Sequence, residues 1–450
     1  MTGVNNTFVG SAAGLGASGN SHSNNTGVGY AAGGAITTGV QNTIVGSRAG
    51  DALTTGDSNV AVGVSALTSD TKGERAVALG EGSLHTQNFT TSTNNYNVAI
   101  GYDAGFSVTT GMNNTIVGGI AGDSLTTGTA NAVLGGAALG TDTKGERNVA
   151  VGYGSLETQN FTGTTIQIYN TACGYAAGSV ITTGVRNTLV GGIAGDALTD
   201  ADFNVAVGFD ALGTDRYGSG SVAIGYQALE RQDFATATNS LNTAVGFNAG
   251  EQITTGVQNT LLGASTASTL TTGSNNVILG YFSNVSASGA ASQTVLGFGV
   301  TCVGDGNFTF GDGTTDSNIA NGATTITAPS DERYKENITD STAGLSFLND
   351  LRPVTFQWKK EKDVPSDHRS YVAGSDKRVM NSNGETNHGF IAQEVKAAID
   401  NHAELKDGFD MWMEDDADGR QRVAPAALIP MLVKAIQELS AEVDKLKSGG

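Results

Sequence analysis

Proline is almost missing from most of this chain. Of the five prolines in 450 residues, the first is Pro329. A long stretch without proline suits a backbone in which every N–H is needed by a neighbouring strand. Tryptophan is absent from the same stretch, and charge of either sign is thin there: 8 Lys+Arg and 21 Asp+Glu up to residue 329. The whole chain carries 24 Lys+Arg against 43 Asp+Glu, a formal charge of -19, which excludes nucleic-acid binding as a main task because phosphate neutralisation needs clustered cations. The two cysteines, Cys173 and Cys302, are too few and too far apart for a disulfide framework or a metal site, so both are expected to be small buried hydrophobes. No cofactor and no metal is expected. No apolar run reaches the roughly 18 residues of a membrane span, and no apolar segment follows Met1, so neither membrane insertion nor a signal peptide is expected.

Glycine is what the chain has in excess. Of 64 glycines, 56 precede residue 329, whereas the 121 residues after it hold 38 charged groups and both tryptophans. Two kinds of structure therefore share one chain. In the first, one phrase returns throughout: Asn42-Thr-Ile-Val-Gly46, Asn59-Val-Ala-Val-Gly63, Asn114-Thr-Ile-Val-Gly118, Asn187-Thr-Leu-Val-Gly191 and Asn259-Thr-Leu-Leu-Gly263. Its glycine falls at 29, 46, 63 and 80, then 101, 118, 135 and 152, then 174, 191, 208 and 225, then 246, 263, 280 and 297. Steps of 17 thus alternate with one of 21 or 22, and the long step carries its own mark: Gln87-Asn-Phe89, Gln159-Asn-Phe161, Gln232-Asp-Phe234.

Fixed periods of this length signal a solenoid. Each coil reads as two short strands and two turns, with the aliphatic run before the glycine as one strand and Thr-Thr-Gly, as at Thr54–Gly56, marking the opposite turn. The recurrent asparagine can stack on its copies and hydrogen-bond along the axis. At roughly 4.8 Å per coil, some 17 coils predict a rod of about 80 Å. A coil so thin is expected to enclose too little apolar surface alone, so about three chains should share the core. Phrases such as Ser221-Val-Ala-Ile-Gly-Tyr-Gln-Ala228 resemble the left-handed β-roll head of trimeric adhesins across residues 5–297.

At the other end, Leu432, Ile436, Leu439, Val443 and Leu446 are spaced by four and three, the seam of a coiled-coil helix over about 424–447. Asp410 to Gly419 superficially suggests a calcium loop, but the bidentate Glu of such a loop is missing and an Asp-Gly hairpin is expected. Four ordered segments, Ser330-Asp-Glu-Arg-Tyr-Lys335, Leu351-Arg-Pro-Val-Thr-Phe-Gln-Trp-Lys359, His388-Gly-Phe-Ile-Ala-Gln-Glu-Val395 and Leu428-Ile-Pro-Met-Leu-Val-Lys-Ala-Ile-Gln-Glu-Leu439, make residues 330–447 resemble the peptidase S74 family, the intramolecular chaperone of endosialidase tail spikes and other phage fibres. The resemblance implies single-turnover autoproteolysis by a Ser-Lys dyad, Ser330 as nucleophile and Lys335 as base, at the Pro329–Ser330 bond. Such a lysine needs a depressed pKa. Asp331, His388 and Gln393 match family positions that help orient the bond and stay outside the catalytic assignment.

The expected fold is mostly β: a trimeric parallel β-roll or β-solenoid shaft over 1–297, a neck over 298–329, and an α+β chaperone domain over 330–450 that ends in a trimeric coiled coil. The expected protein is a phage tail fibre or tail spike in the virion, extracellular in its working state and made in the host cytoplasm. Its expected partners are two further copies of itself, other virion tail proteins and a bacterial cell-surface receptor, a glycan among the candidates. A polysaccharide-degrading spike would need paired carboxylates in a groove, and Asp51, Asp103, Asp123, Asp196 and Asp210 fall instead at equivalent repeat positions. A bacterial trimeric adhesin would carry a C-terminal membrane barrel, and an ice-binding solenoid is suggested only by the Thr-Thr-Gly ladder.

Overall fold

The computed structural model describes residues 3–16, 21–161, 167–323, 325–368, 370–380, 384–406, 409–414 and 419–449. The chain divides into two compact units, Met1–Pro329 and Ser330–Gly450.

The first unit is a parallel β-solenoid. Among the described residues its main sheet has 19 strands, most of them three residues long, from Thr7–Val9 to Ser317–Ala320. Neighbours pair in parallel and in strict register: Thr43, Ile44 and Val45 lie beside Val60, Ala61 and Val62, and so on along the shaft. Register follows from burial. In each strand the middle residue points inward and its neighbours outward, so a slip of one residue would expose the interior. The last coil pairs with Asn307–Gly311, and an antiparallel partner, Ser317–Ala320, closes that end.

Each coil carries one strand in the main sheet, not the two expected. The residues after the corner glycine follow a turn in which Ala31, Arg48, Ser65 and Leu67 adopt left-handed φ near 55°. That conformation breaks a strand, yet the backbone still bonds from coil to coil: Thr37 N donates to Thr54 O and Thr54 N to Thr71 O, both at 2.9 Å. Among the described residues a second, two-residue pairing forms around long steps, as Gly73–Glu74 with Thr93–Asn94 and Gly218–Ser219 with Thr238–Asn239.

The interior is filled by one chain. Ile44, Ala49, Leu53, Ala61, Ala66 and Leu67 are fully buried, and the same inward positions continue to Val300 as one apolar core. The expectation that a single chain is too thin to enclose a core is therefore not met: small alanines at the strand centres let leucines and isoleucines from the turns fill the lumen. Cys302 is buried as expected, but Cys173 is exposed, because it occupies the outward third position of its strand.

Two devices tie coil to coil. Asn42 Nδ2 donates to Gly56 O at 2.9 Å, while its Oδ1 accepts from the backbone N of Asn59 at 2.9 Å, and this pattern repeats at Asn114, Asn187 and Asn259. A buried amide with its partners satisfied is stabilising and directional. The corner glycines form the second device. Gly118 has φ +141, and a Cβ there would lie 2.4 Å from the carbonyl oxygen of Gly135. Gly119, one residue on, has an ordinary φ and open space around its Cβ position. Replacing Gly118 with Ala is thus expected to destabilise the shaft by roughly 3 kcal/mol, whereas Gly119→Ala leaves it unchanged. Thermal unfolding of the two variants side by side checks the contrast.

The second unit is small and α+β. Helix α1 (Leu345–Asp350), α2 (Ala392–Asn401) and α3 (Ile429–Ser448) surround Phe347, Val395, Ile399, Met411 and Met431, with short antiparallel pairs Val354–Phe356 with Asn387–Gly389 and Trp412–Glu414 with Gln421–Val423. The second pair is the expected hairpin; residues 415–418 of the acidic loop lie outside the described residues. A 3-10 turn at Pro425–Leu428 leads into α3, where the coiled-coil pattern was read.

Candidate self-cleavage site

The first six residues of the C-terminal unit form a compact local structure. Asp331 has extended φ and ψ and its carboxylate accepts from the backbone N of Arg333 at 2.9 Å, capping a 3-10 turn over Glu332–Tyr334. The Arg333 guanidinium pairs with the same carboxylate at 2.6 Å, which holds the Asp331 carboxyl below its ordinary pKa. The turn closes when Lys335 N donates to Glu332 O at 3.0 Å. One 3-10 turn carries the chain back on itself, so residues five apart meet: Lys335 Nζ donates to Ser330 Oγ at 2.7 Å. Both side chains are exposed. The two residues expected to form a dyad are therefore in contact, and the capped turn is what brings them together.

His388 and Gln393 stand elsewhere in the unit. His388 is the exposed centre of its strand, opposite Thr355, and Gln393 is exposed near the start of α2. Among the described residues neither hydrogen-bonds to Ser330 or Lys335. Gln393 instead lines a groove of about 920 Å³ with Phe356, Trp358, Phe390, Ile391 and Met413. Asp331 is the one orienting position that touches the dyad's own turn.

Residues 330–404 match the Peptidase_S74 family model, chaperone of endosialidase. The matched segment starts at Ser330 and takes in the capped turn, α1, the first strand pair and α2. Neither the curated proteins nor the solved structures include a match to this chain. A chaperone-of-endosialidase segment beside a β-solenoid fits a phage tail fibre or tail spike, and the family implies autoproteolysis in general terms. Among the described residues no helix is long and apolar enough to cross a membrane.

The shaft acids are arranged differently from a glycosidase pair. They stand half-buried two or five residues after certain corner glycines, in a file along the axis in which Asp103 acts by charge on Asp123 and Asp210 on Asp196, and their hydrogen bonds run to neighbouring coils: Thr68 Oγ1 donates to Asp51 at 2.5 Å, and Gln227 Nε2 to Asp210 at 3.1 Å. Asp196 is pushed up to about 6, chiefly by burial and then by the charge of Asp210.

One set of functional side chains escaped the sequence reading. Asp70, Asp142 and Asp215 lie one coil before the glutamines of the long steps, and are buried. Their carboxylates accept from Gln87, Gln159 and Gln232 at 2.6, 2.6 and 2.5 Å and from the backbone N of Gly73, Gly145 and Gly218, each at 2.9 Å. Each glutamine oxygen in turn accepts from the axial asparagine of the next coil, Asn97, Asn170 or Asn242. These clamps anchor the inserted loop to the asparagine ladder. The signal was available as an aspartate 17 residues before each glutamine.

Burial raises the carboxyls of Asp70, Asp142 and Asp215, more than their hydrogen bonds lower them. A carboxyl raised on folding contributes stability that is complete below its unfolded pKa and is lost as pH rises through the folded value. In the second unit the sign is opposite: Asp331, Asp376 and Glu394 are lowered by Arg333, by Lys360 with Lys362, and by Arg352, so their contribution is lost as pH falls. Acidification from pH 7 towards 3 is expected to raise the unfolding temperature of the solenoid and lower that of the C-terminal unit. Differential scanning calorimetry that resolves two transitions reads both directions, and Asp196→Asn should reduce the gain of the first.

Proposed function

We propose that this protein is a phage tail fibre or tail spike whose C-terminal unit assembles three copies of the chain and then cuts itself from the shaft at the Pro329–Ser330 bond. The observation that carries the reading is the 2.7 Å contact between Lys335 Nζ and Ser330 Oγ at the first residue of the matched chaperone segment.

The chemistry follows from that contact. A hydroxyl attacks a carbonyl only when a base takes its proton, and a neutral lysine amine can do so. Lys335 Nζ accepts the proton from Ser330 Oγ, and Oγ bonds to the carbonyl carbon of Pro329. The C–N bond to Ser330 then breaks as the Lys335 ammonium returns the proton to the departing nitrogen. An ester joins Pro329 to Ser330 Oγ, and water hydrolyses it to a carboxylate at Pro329 and a free amino terminus at Ser330. In one chain the lysine side chain is exposed to water. Burial of the dyad on assembly supplies the desolvation that makes it a base, which couples the cut to the formation of the multimer.

Helix α3 supports the assembly step. One face packs on α1 through Met431 and Ala435, and Glu438 Oε2 accepts from Leu345 N at 2.8 Å. Another face leaves Leu432, Ile436, Leu439, Val443 and Leu446 exposed, Ile436 by 65% and Leu446 by 79%, at spacings of a heptad seam. A shaft that degrades polysaccharide gains less support, because its acids run along the axis instead of facing each other across a groove.

Mass spectrometry of purified wild-type protein should give fragments 1–329 and 330–450. Ser330→Ala should remain full length, and Lys335→Met should slow the cut at least a hundredfold, the low end of what a general base contributes. Intact Ser330→Ala together with intact wild type would remove the proposed cleavage. In a separate measurement, Ile436→Asp should give a chain that stays both monomeric by light scattering and uncut, since the seam and the dyad are coupled through assembly.

A further inference from the structure

The outward face of the shaft's main sheet carries an aliphatic column along its whole length. From Val9 to Leu296 the residue before every corner glycine is Val, Leu or Ile, except at Cys173. These side chains point away from the core; Leu79, Leu134, Leu262 and Leu296 are 40 to 52% exposed. Two residues on, across the glycine, a second column carries aromatic rings: Tyr153 with Tyr175, then Phe209, Tyr226 and Phe247, then Tyr281 with Phe298. Glu81 is the one charged residue of either column. The acids that give the chain its charge stand on other positions of the coil.

A stable monomer rarely leaves such a surface to water. With coils about 4.8 Å apart and two side-chain columns roughly 10 Å wide, the face spans of the order of 800 Å², about what one partner gives to a standard protein interface. A sugar chain fits it poorly. Phe209, Tyr226 and Phe247 are stacked at 5.7 and 5.1 Å with planes 14° and 9° apart. Rings stacked this way turn their faces to one another and their edges to solvent, whereas a sugar packs on an open ring face. An identical chain alongside, parallel and in step, offers the same aliphatic column to every coil and needs no charge complement.

On the reading that the protein assembles from copies of itself, we propose that this strand face is where neighbouring shafts meet, in register, with each aliphatic residue beside its own counterpart. The aromatic column sets the step. Its large rungs are broken by Gly119, Gly136, Gly192 and Ala264, and the Tyr153 ring already leans over Gly136, to within 3.3 Å of where a Cβ would stand. A neighbour displaced by one coil would set Tyr153 beside Gly136 and Phe209 beside Gly192, where the in-step arrangement sets each rung beside its own copy.

Cys173 is a reporter already in the column. The full-length chain, sized by light scattering, is treated with a short bismaleimide and run on a denaturing gel. The expected result is a multimer that yields a covalent two-chain band, lost in Cys173→Ser and kept in Cys302→Ser. In the Cys173→Ser background, Leu262→Cys should restore the band and Asp123→Cys, on the acid column, should not. A multimer that cross-links through Asp123→Cys, or through neither Cys173 nor Leu262→Cys, overturns this face as the contact and leaves assembly standing. A monomeric wild type overturns the assembly reading and this one with it, and leaves the face to a different partner.

Discussion

The shaft rests on how closely one coil can lie on the next. At the corner glycines the backbones approach so tightly that a single Cβ would sit 2.2 to 2.5 Å from the carbonyl oxygen of the following coil, as at Gly80, Gly118 and Gly246. That approach keeps the short strands in hydrogen-bonding range and lets a side chain as small as asparagine span two coils. It also explains the proline deficit in a stricter way than strand propensity does. Backbone N–H groups outside the strands, such as those of Thr37, Arg48 and Leu67, are also donors to a neighbouring coil, so there is little room for a residue without one.

Repetition makes the shaft cheap to specify and hard to align. Each strand offers almost the same inward side chain as its neighbours, so a coil that pairs one step out of place loses little apolar burial. The long step and its buried clamp break this degeneracy. Asp70 reaches Gln87 only because the glutamine stands 17 residues on, and Gln87 reaches Asn97 only because the inserted residues lift the chain by one coil. A buried carboxylate without its donors is strongly unfavourable. The clamp therefore converts a weak preference for the right coil into a strong one, at a local expense in desolvation that its pKa shift records.

Much of this was legible in the chain itself, and the parts that were not have physical reasons. Glycine spacing revealed the coil and its long step because a corner that needs both positive φ and the absence of a Cβ admits no other residue. The helix of residues 429–448 was legible because its seam is periodic, and Ser330 with Lys335 because the chemistry confines them to one short motif. The turn following each glycine was misread as a second strand, since residues such as Arg48, Leu67 and Ala137, which rarely adopt left-handed φ, carry no local mark of doing so. Cys173 was misplaced because type suggested burial, whereas the alternation of its strand turns it outward. The aspartates of the clamps were missed because their partners are distant in sequence and close only once the coils are stacked. His388 and Gln393 entered through resemblance alone, and nothing in their spacing to Ser330 could have said that, among the described residues, neither hydrogen-bonds to the dyad.

The outer face holds information that the core does not. A displacement by four coils, 72 or 73 residues, returns nearly the same interior: Ile116 onto Leu189, Leu156 onto Leu229, the clamp of Asp142 onto that of Asp215. Neither packing nor buried hydrogen bonds would penalise that shift strongly. On the surface it is plainly different, for it carries Gly136 onto Phe209, Val64 onto Gly136 and Gly192 onto Ala264. The core thus fixes the coil, the clamps fix the position within a four-coil block, and the exposed column distinguishes one block from the next. A chaperone segment that acts from one end would complete this hierarchy, because holding the chain ends level removes the four-coil displacement that the interior tolerates.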